Sequence, residues 1–277
     1  MNARAFLVRG LLVGLLAGIA AFAVAYMVGE PHVERAIALE ESGSAAAATE
    51  PTDHSHAAGT APHSHGDSTG DGAGDGAGDG GASVSRTTQR TWGLATGTLA
   101  VGVALGGLVA LVAAATVGRL GRLTPRQSTA VVALVGFTAV ALAPFLKYPA
   151  TPPAVGSGET IGARTGYYFV FLLISLVVGV AAVVVATRLW ERLGAFEAVT
   201  IAAVGYVAVM VLAGELMPTV NEVGDFPADE LWFFRRASLT TLVALWAVIG
   251  VGLTALVGRL HEQVASVAAR RELAASL

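Results

Sequence analysis

The chain has 277 residues, is 54% hydrophobic and only 13% charged, and carries a formal net charge of −3. Soluble domains carry about a quarter charged residues, so this composition points to a lipid bilayer as the solvent and offers nothing for a nucleic-acid partner. Cysteine is absent, which excludes disulfides, thiolate metal sites and cysteine nucleophiles together.

A bilayer-crossing helix needs about 20 mainly apolar residues, each adding about 1.5 Å across a core about 30 Å thick. Six stretches qualify, at 6–28, 92–117, 130–146, 167–187, 199–216 and 239–257, and none has a charge in its middle. The expectation is an all-α integral membrane protein, a six-span transmembrane helix bundle. Residues 1–28 form its first segment, 29–91 a long loop, 92–258 the other five spans and 259–277 a tail.

The first span has a cleavable signal peptide as its alternative, since MNARAFLVR is a basic start and AFA at 21–23 resembles a small-residue cleavage site. Its apolar run is longer than a signal core, which favours retention as a span. Gly10, Gly14 and Gly18 recur every four residues, as do Gly93 with Gly97 and Gly102 with Gly106. Such spacing opens a groove for a second helix, and packing inside this chain's own bundle is preferred to a seam in a homo-oligomer.

After the first span, EPHVERAIALEE predicts a short amphipathic helix begun by Pro31, with Glu30, Glu34 and Glu41 along it. Residues 43–88 are rich in Ala, Gly, Ser and Asp and are expected to be disordered, for they cannot bury enough surface to offset their ordering entropy. This stretch holds DHSHAAGTAPHSHGD, four of the six histidines. In an extended chain residues two apart point the same way, so His54 with His56 and His63 with His65 can each aim two imidazoles at one ion. Imidazole serves zinc, copper, nickel, cobalt and iron, and such a loop releases its ions as pH falls through about 6.5. A solvated linker that merely contains histidines is the alternative. The following DGAGDGAGDG lacks the nine-residue period of calcium-binding repeats and reads as linker.

The third span, AVVALVGFTAVALAPFL, is the shortest of the six stretches. Two later stretches, APFLKYPATPPAVGSGETIGARTGYYF at 143–169 and GELMPTVNEVGDFPADELWFFRRASLTT at 214–241, are too proline-rich for regular helix and too aromatic for plain linkers. Each places a carboxylate five residues before an arginine, Glu159 with Arg164 and Glu230 with Arg235, a pairing expected to brace a helix start. This shared layout suggests three repeated helical hairpins. Glu215 ends the fifth span, where a carboxylate is costly unless paired or liganded. With Asn221, Glu222 and Asp225 it is a candidate oxygen-rich vestibule for a divalent cation. The competing reading is interfacial anchoring, the acids being neutralised by Arg235, Arg236 or Lys147. Trp232, Tyr148, Tyr167 and Tyr168 read as an aromatic belt.

Basic residues favour the cytoplasmic side. Ten of the 17 fall on the side of both termini, while the opposite side holds seven, together with 16 of the 20 carboxylates. Both termini are therefore placed in the cytoplasm and the histidine loop outside. No H-E-x-x-H, G-x-S-x-G or P-loop occurs, and the single lysine, Lys147, belongs to none. The chain is not expected to be an enzyme, to hold a cofactor or to bind ATP itself.

The stretches LAPFLKYPATPPAVG at 142–156, TIGARTGYYF at 160–169 and MPTVNEVGDFPADELWFFRRASL at 217–239 resemble the CbtA family of bacterial cobalt transporter subunits. So do the apolar start, the acidic segment and the histidine-bearing loop. The long DGAG tract departs from that pattern. The resemblance implies an integral membrane protein for cobalt uptake toward cobalamin synthesis, beside a small single-span, His-bearing partner subunit. Lys147, Tyr148, Pro149, Pro152, Pro153, Arg164, Pro218, Asn221, Glu222, Phe226, Pro227, Trp232 and Arg235 are the motif positions it covers. The leading expectation is collection of a divalent metal, Co(II) before nickel or zinc, at His54, His56, His63 and His65 and its receipt by Glu215, Met217, Asn221 and Glu222. The alternative is a membrane accessory or metal-sensing protein that carries no ion.

Overall fold

The computed structural model describes residues 3–49, 85–121 and 123–276. Among them, six helices are long and apolar enough to cross a membrane: α1 (Ala3–Gly43), α2 (Arg86–Thr116), α3 (Pro125–Lys147), α4 (Gly158–Leu193), α5 (Ala195–Leu216) and α6 (Ala228–Ala275). The six-span all-α architecture read from hydropathy is therefore the one observed.

The helices overrun the lipid at several ends, and there the structure differs from the sequence reading. EPHVERAIALEE is not a separate short helix. It continues α1 through a π-helical segment at Ala25–Gly29, and the helix runs on to Thr49. Similarly α2 begins at Arg86, ahead of its apolar run, with Ser85 accepting from the Thr88 amide. Residues 43–49 and 85–88 belong to the region expected to be disordered at 43–88, whose remainder falls outside the described residues. The tail at 259–277 is helical to Ala275, in one helix with the sixth span. The third span is also longer than its apolar core. A capping box between Thr124 and Gln127, followed by Pro125, starts α3 before the apolar residues begin, so that α5, with 22 residues, is the shortest helix.

Close approach organises the centre. Gly10, Gly14 and Gly18 of α1 face Gly102, Gly106 and Leu99 of α2. A Cβ on Gly102 would lie 2.5 Å from the Gly14 carbonyl oxygen, and one on Gly18 would lie 2.8 Å from the Leu99 Cα. The glycine rows are thus an intramolecular seam, as the spacing suggested, whereas Gly97 faces open space. Phe6, Ala17, Val109, Ala110, Ala133, Trp246, Ile249, Leu253 and Val257 form a core contributed by α1, α2, α3 and α6. On the flank, α4 and α5 pack against each other and stay more open, 17% of the span window buried in each against 33% in α2 and α6.

This pair is tied to the core inside the membrane. A π-helical segment in α3, Phe137–Leu142, loosens the regular backbone pairing. The fully buried Ser175 hydroxyl of α4 lies 2.8 Å from the Ala139 carbonyl oxygen there and 2.8 Å from the Tyr206 hydroxyl of α5.

Candidate functional site

One end of the bundle gathers the polar chemistry. There α1 emerges beyond Gly29 and α2 begins, and their extensions are joined by ion pairs, Arg86 with Glu30 and Arg90 with Glu34. Arg90 also donates to the Tyr26 hydroxyl and covers its ring. The same extension reaches α6. Glu230, in the first turn of α6, accepts from Arg35 at 3.1 Å and lies 3.4 Å from His32 Nδ1, while the His32 ring stacks on Phe233. Glu230 therefore binds α1 rather than Arg235, the partner expected from its own helix.

The two proline-rich loops are bound to each other. Tyr148 donates to the Pro218 carbonyl at 2.8 Å and packs edge-on against Phe171, so it ties the loops rather than serving only as a belt residue. Glu222, in the second loop, accepts from the Thr160 hydroxyl at 2.8 Å and the Ser157 amide at 3.2 Å, and lies 3.5 Å from Arg164 Nε. These contacts hold the Glu222 carboxyl below its ordinary pKa, the Thr160 hydrogen bond contributing most, then the Ser157 amide, with Arg164 adding to them against partial desolvation. Arg164 in turn donates to the Ser157 carbonyl at 3.0 Å. The Glu159 partnership expected for Arg164 is replaced by a link across loops, because the turn at 154–157 brings Glu222 over the start of α4. That turn needs left-handed backbone at Ala154 (φ 67°) and Gly156 (φ 94°). A Cβ on Gly156 would meet the Arg164 guanidinium carbon at 2.7 Å.

Between these loops and the α1 extension lies a wide cleft of about 1200 Å3, bordered by Glu40, Asn221, Glu222, Asp225 and backbone-rich Gly43, Gly156 and Gly224. Its three carboxylates and amide are hard oxygen donors suited to a hydrated divalent cation. Asn221 and Glu222 border it together with Asp225 and with Glu40, which the sequence pattern does not single out. Glu215 and Met217 do not border this cleft; Glu215 is exposed at the end of α5 and Met217 half-buried beside it. Among the described residues, no three His, Cys, Asp or Glu side chains converge tightly enough to hold a metal ion by themselves. His54, His56, His63 and His65 lie outside the described residues.

A family model described as a probable cobalt transporter subunit, CbtA, matches residues 3–258. The chain belongs to the CbtA family. Its role is accordingly transport rather than catalysis, at the level of metal movement across a bacterial membrane by a multi-pass protein. No curated protein and no solved structure matches it. In this CbtA chain the matched region covers α1 to α5, both clamped loops and α6 as far as Gly258. The pairings that sequence reasoning missed, His32 and Arg35 with Glu230, had one legible trace: His32 and Arg35 are three apart and share a face of a continuous helix.

Proposed function

We propose that this CbtA subunit takes up a divalent transition metal, Co(II) before nickel or zinc, in support of cobalamin synthesis. The observation that carries the reading is the acidic cleft at the end of the bundle where α1 extends to Thr49 and α2 restarts at Arg86. The chain that carries His54, His56, His63 and His65 follows α1, whose Gly43 borders the cleft; on this reading ions caught by those histidines pass to Asn221, Glu222, Glu40 and Asp225. Glu215 and Met217, at the end of α5 and outside the cleft, are the remaining members of the proposed donor set. The charge distribution supports an outward-facing cleft with both termini in the cytoplasm. We take the hairpin repeat to reside in the two proline-rich loops, since α6 packs against α1 and α3.

Cobalt accumulation by cells carrying variants tests this. Replacing the four histidines by Ser should lower uptake severalfold at limiting external cobalt and leave it near normal at generous supply, because the loop acts by raising local concentration. Asp225→Asn should lower uptake at both. Uptake unchanged in the first variant under limiting metal would remove the loop, and its outward placement, from the mechanism.

A second reading has an observation in its favour. No span carries a charge in its middle, and the polar contacts found deep in the bundle are hydroxyls and a carbonyl at Ser175, Tyr206 and Ala139. A chain that captures metal and hands it to a partner, such as a small single-span His-bearing subunit or a second copy, needs no more. Purified protein in liposomes separates the readings, because only a self-sufficient transporter moves cobalt unaided.

A further inference from the structure

Beside the acidic cleft, and sharing Asn221 and Val223 with it, lies a second cavity of about 640 Å3 whose charged lining is entirely basic: Lys147, Arg164 and Arg235. At this end of the bundle Arg35, Arg86, Arg90 and Arg164 each meet a carboxylate. Lys147 and Arg235 meet none among the described residues, and both face this one cavity. Arg235 is half-buried and its Nε is shut away from solvent with no hydrogen-bond partner. Lys147 is also half-buried, its ammonium 5.6 Å from the centre of the Tyr148 ring.

Two cations held together at a membrane boundary repel one another, and a buried N–H without an acceptor costs free energy. An anion with several acceptor oxygens in the cavity offsets the repulsion and offers acceptors to the Lys147 ammonium and the Arg235 guanidinium. The neighbouring donors suit that occupant: Asn221, Thr165 and Tyr168 line the same cavity. A planar guanidinium fork with an ammonium point charge matches carboxylate or phosphate better than a spherical ion. Arg164 contributes less, its charge being offset by Glu222.

We propose that the Lys147–Arg235 cavity is a binding site for a small oxyanion, a phosphate or carboxylate group, supplied by a free solute or by a lipid headgroup. Anion binding at this site does not rest on the proposed transport, although Asn221 borders both cavities. The test uses the full chain in a maltoside detergent without cobalt. Inorganic phosphate and citrate are titrated against thermal stability, and phosphatidylglycerol retained from the membrane is measured by native mass spectrometry. Lys147→Gln and Arg235→Gln should each weaken phosphate or citrate binding, or phosphatidylglycerol retention, by about tenfold or more, whereas Arg236→Gln, whose guanidinium lies over Phe233, should not. Loss in the titration identifies a solute site, and loss in lipid retention a headgroup site. Wild type that neither binds the anions nor retains the lipid, or variants that match it in both, would overturn the proposal. Elution volume and helical content establish folding, and Lys147→Gln carries the test alone if Arg235→Gln fails to fold.

Discussion

Glu222 is at once part of the acidic cleft and the fastener between two loops. Its carboxyl is held below the ordinary value by Thr160, Ser157 and Arg164, so the folded state favours the ionised form more than the unfolded chain does. That contribution is complete above the unfolded carboxylate value of about 4.3 and is lost as pH falls through the lower folded value. Glu222→Gln should therefore melt below wild type at pH 7, with the gap closing as pH drops under about 4; a gap constant with pH would assign the effect to shape rather than charge. Gly156→Ala attacks the same clamp from the backbone. It places a side chain at φ 94° and against Arg164, and should cost about 1–2 kcal/mol, measured by thermal unfolding. The sequence displayed every member of this clamp but misassigned the partners. Five-residue spacing suggested Glu159 with Arg164 and Glu230 with Arg235, and spacing along one chain is blind to a turn that delivers an acid from another loop.

Helix α1 meets α2 through glycine faces so close that the backbones themselves touch. A Cβ on Gly14 would lie 2.9 Å from the Val103 Cα, and neither backbone can rotate aside as a side chain would. Gly14→Ala should thus lower stability by about 1–3 kcal/mol, while Gly97→Ala, with nothing within 4 Å, should leave it unchanged or raise it, since alanine is the better helix former. Equal effects in a thermal melt would mean that the seam is not tight. The six spans were legible because desolvation in lipid imposes a long apolar run, and that run is a property of consecutive residues. Helix ends were not, because once outside lipid a helix is held by partners. Glu30, Glu34 and Arg35 keep α1 helical beyond the membrane through Arg86, Arg90 and Glu230, none of which is near them in sequence.

The molecule divides into a core and a flank. Helices α1, α2, α3 and α6 share the buried apolar cluster, to which α1 contributes Phe6, Ala17 and Ala21, so loss of the first span would open the centre of the bundle. The α4–α5 pair instead rests on α3, and beside the loop contact of Tyr148 with Pro218 its polar attachment within the spans is the Ser175 hydroxyl between the Ala139 carbonyl and Tyr206. Apolar contact between lipid-exposed helices gains little, because lipid tails satisfy the same surfaces, so the hydroxyl relay should carry a disproportionate share of the docking. Ser175→Ala leaves a half-buried phenol and a buried carbonyl without their hydroxyl partner and should cost about 1 kcal/mol. Because the chain has no cysteine of its own, spin labels placed at chosen pairs report geometry cleanly. Labels at Val204 and Val251, both exposed, on α5 and α6, should show a broadened distance distribution in the Ser175→Ala background. Labels at Leu12 and Val251, joining α1 to α6 within the core, should not. If both pairs stay sharp, packing alone holds the flank; if both broaden, α4 and α5 belong to the core and the division is wrong.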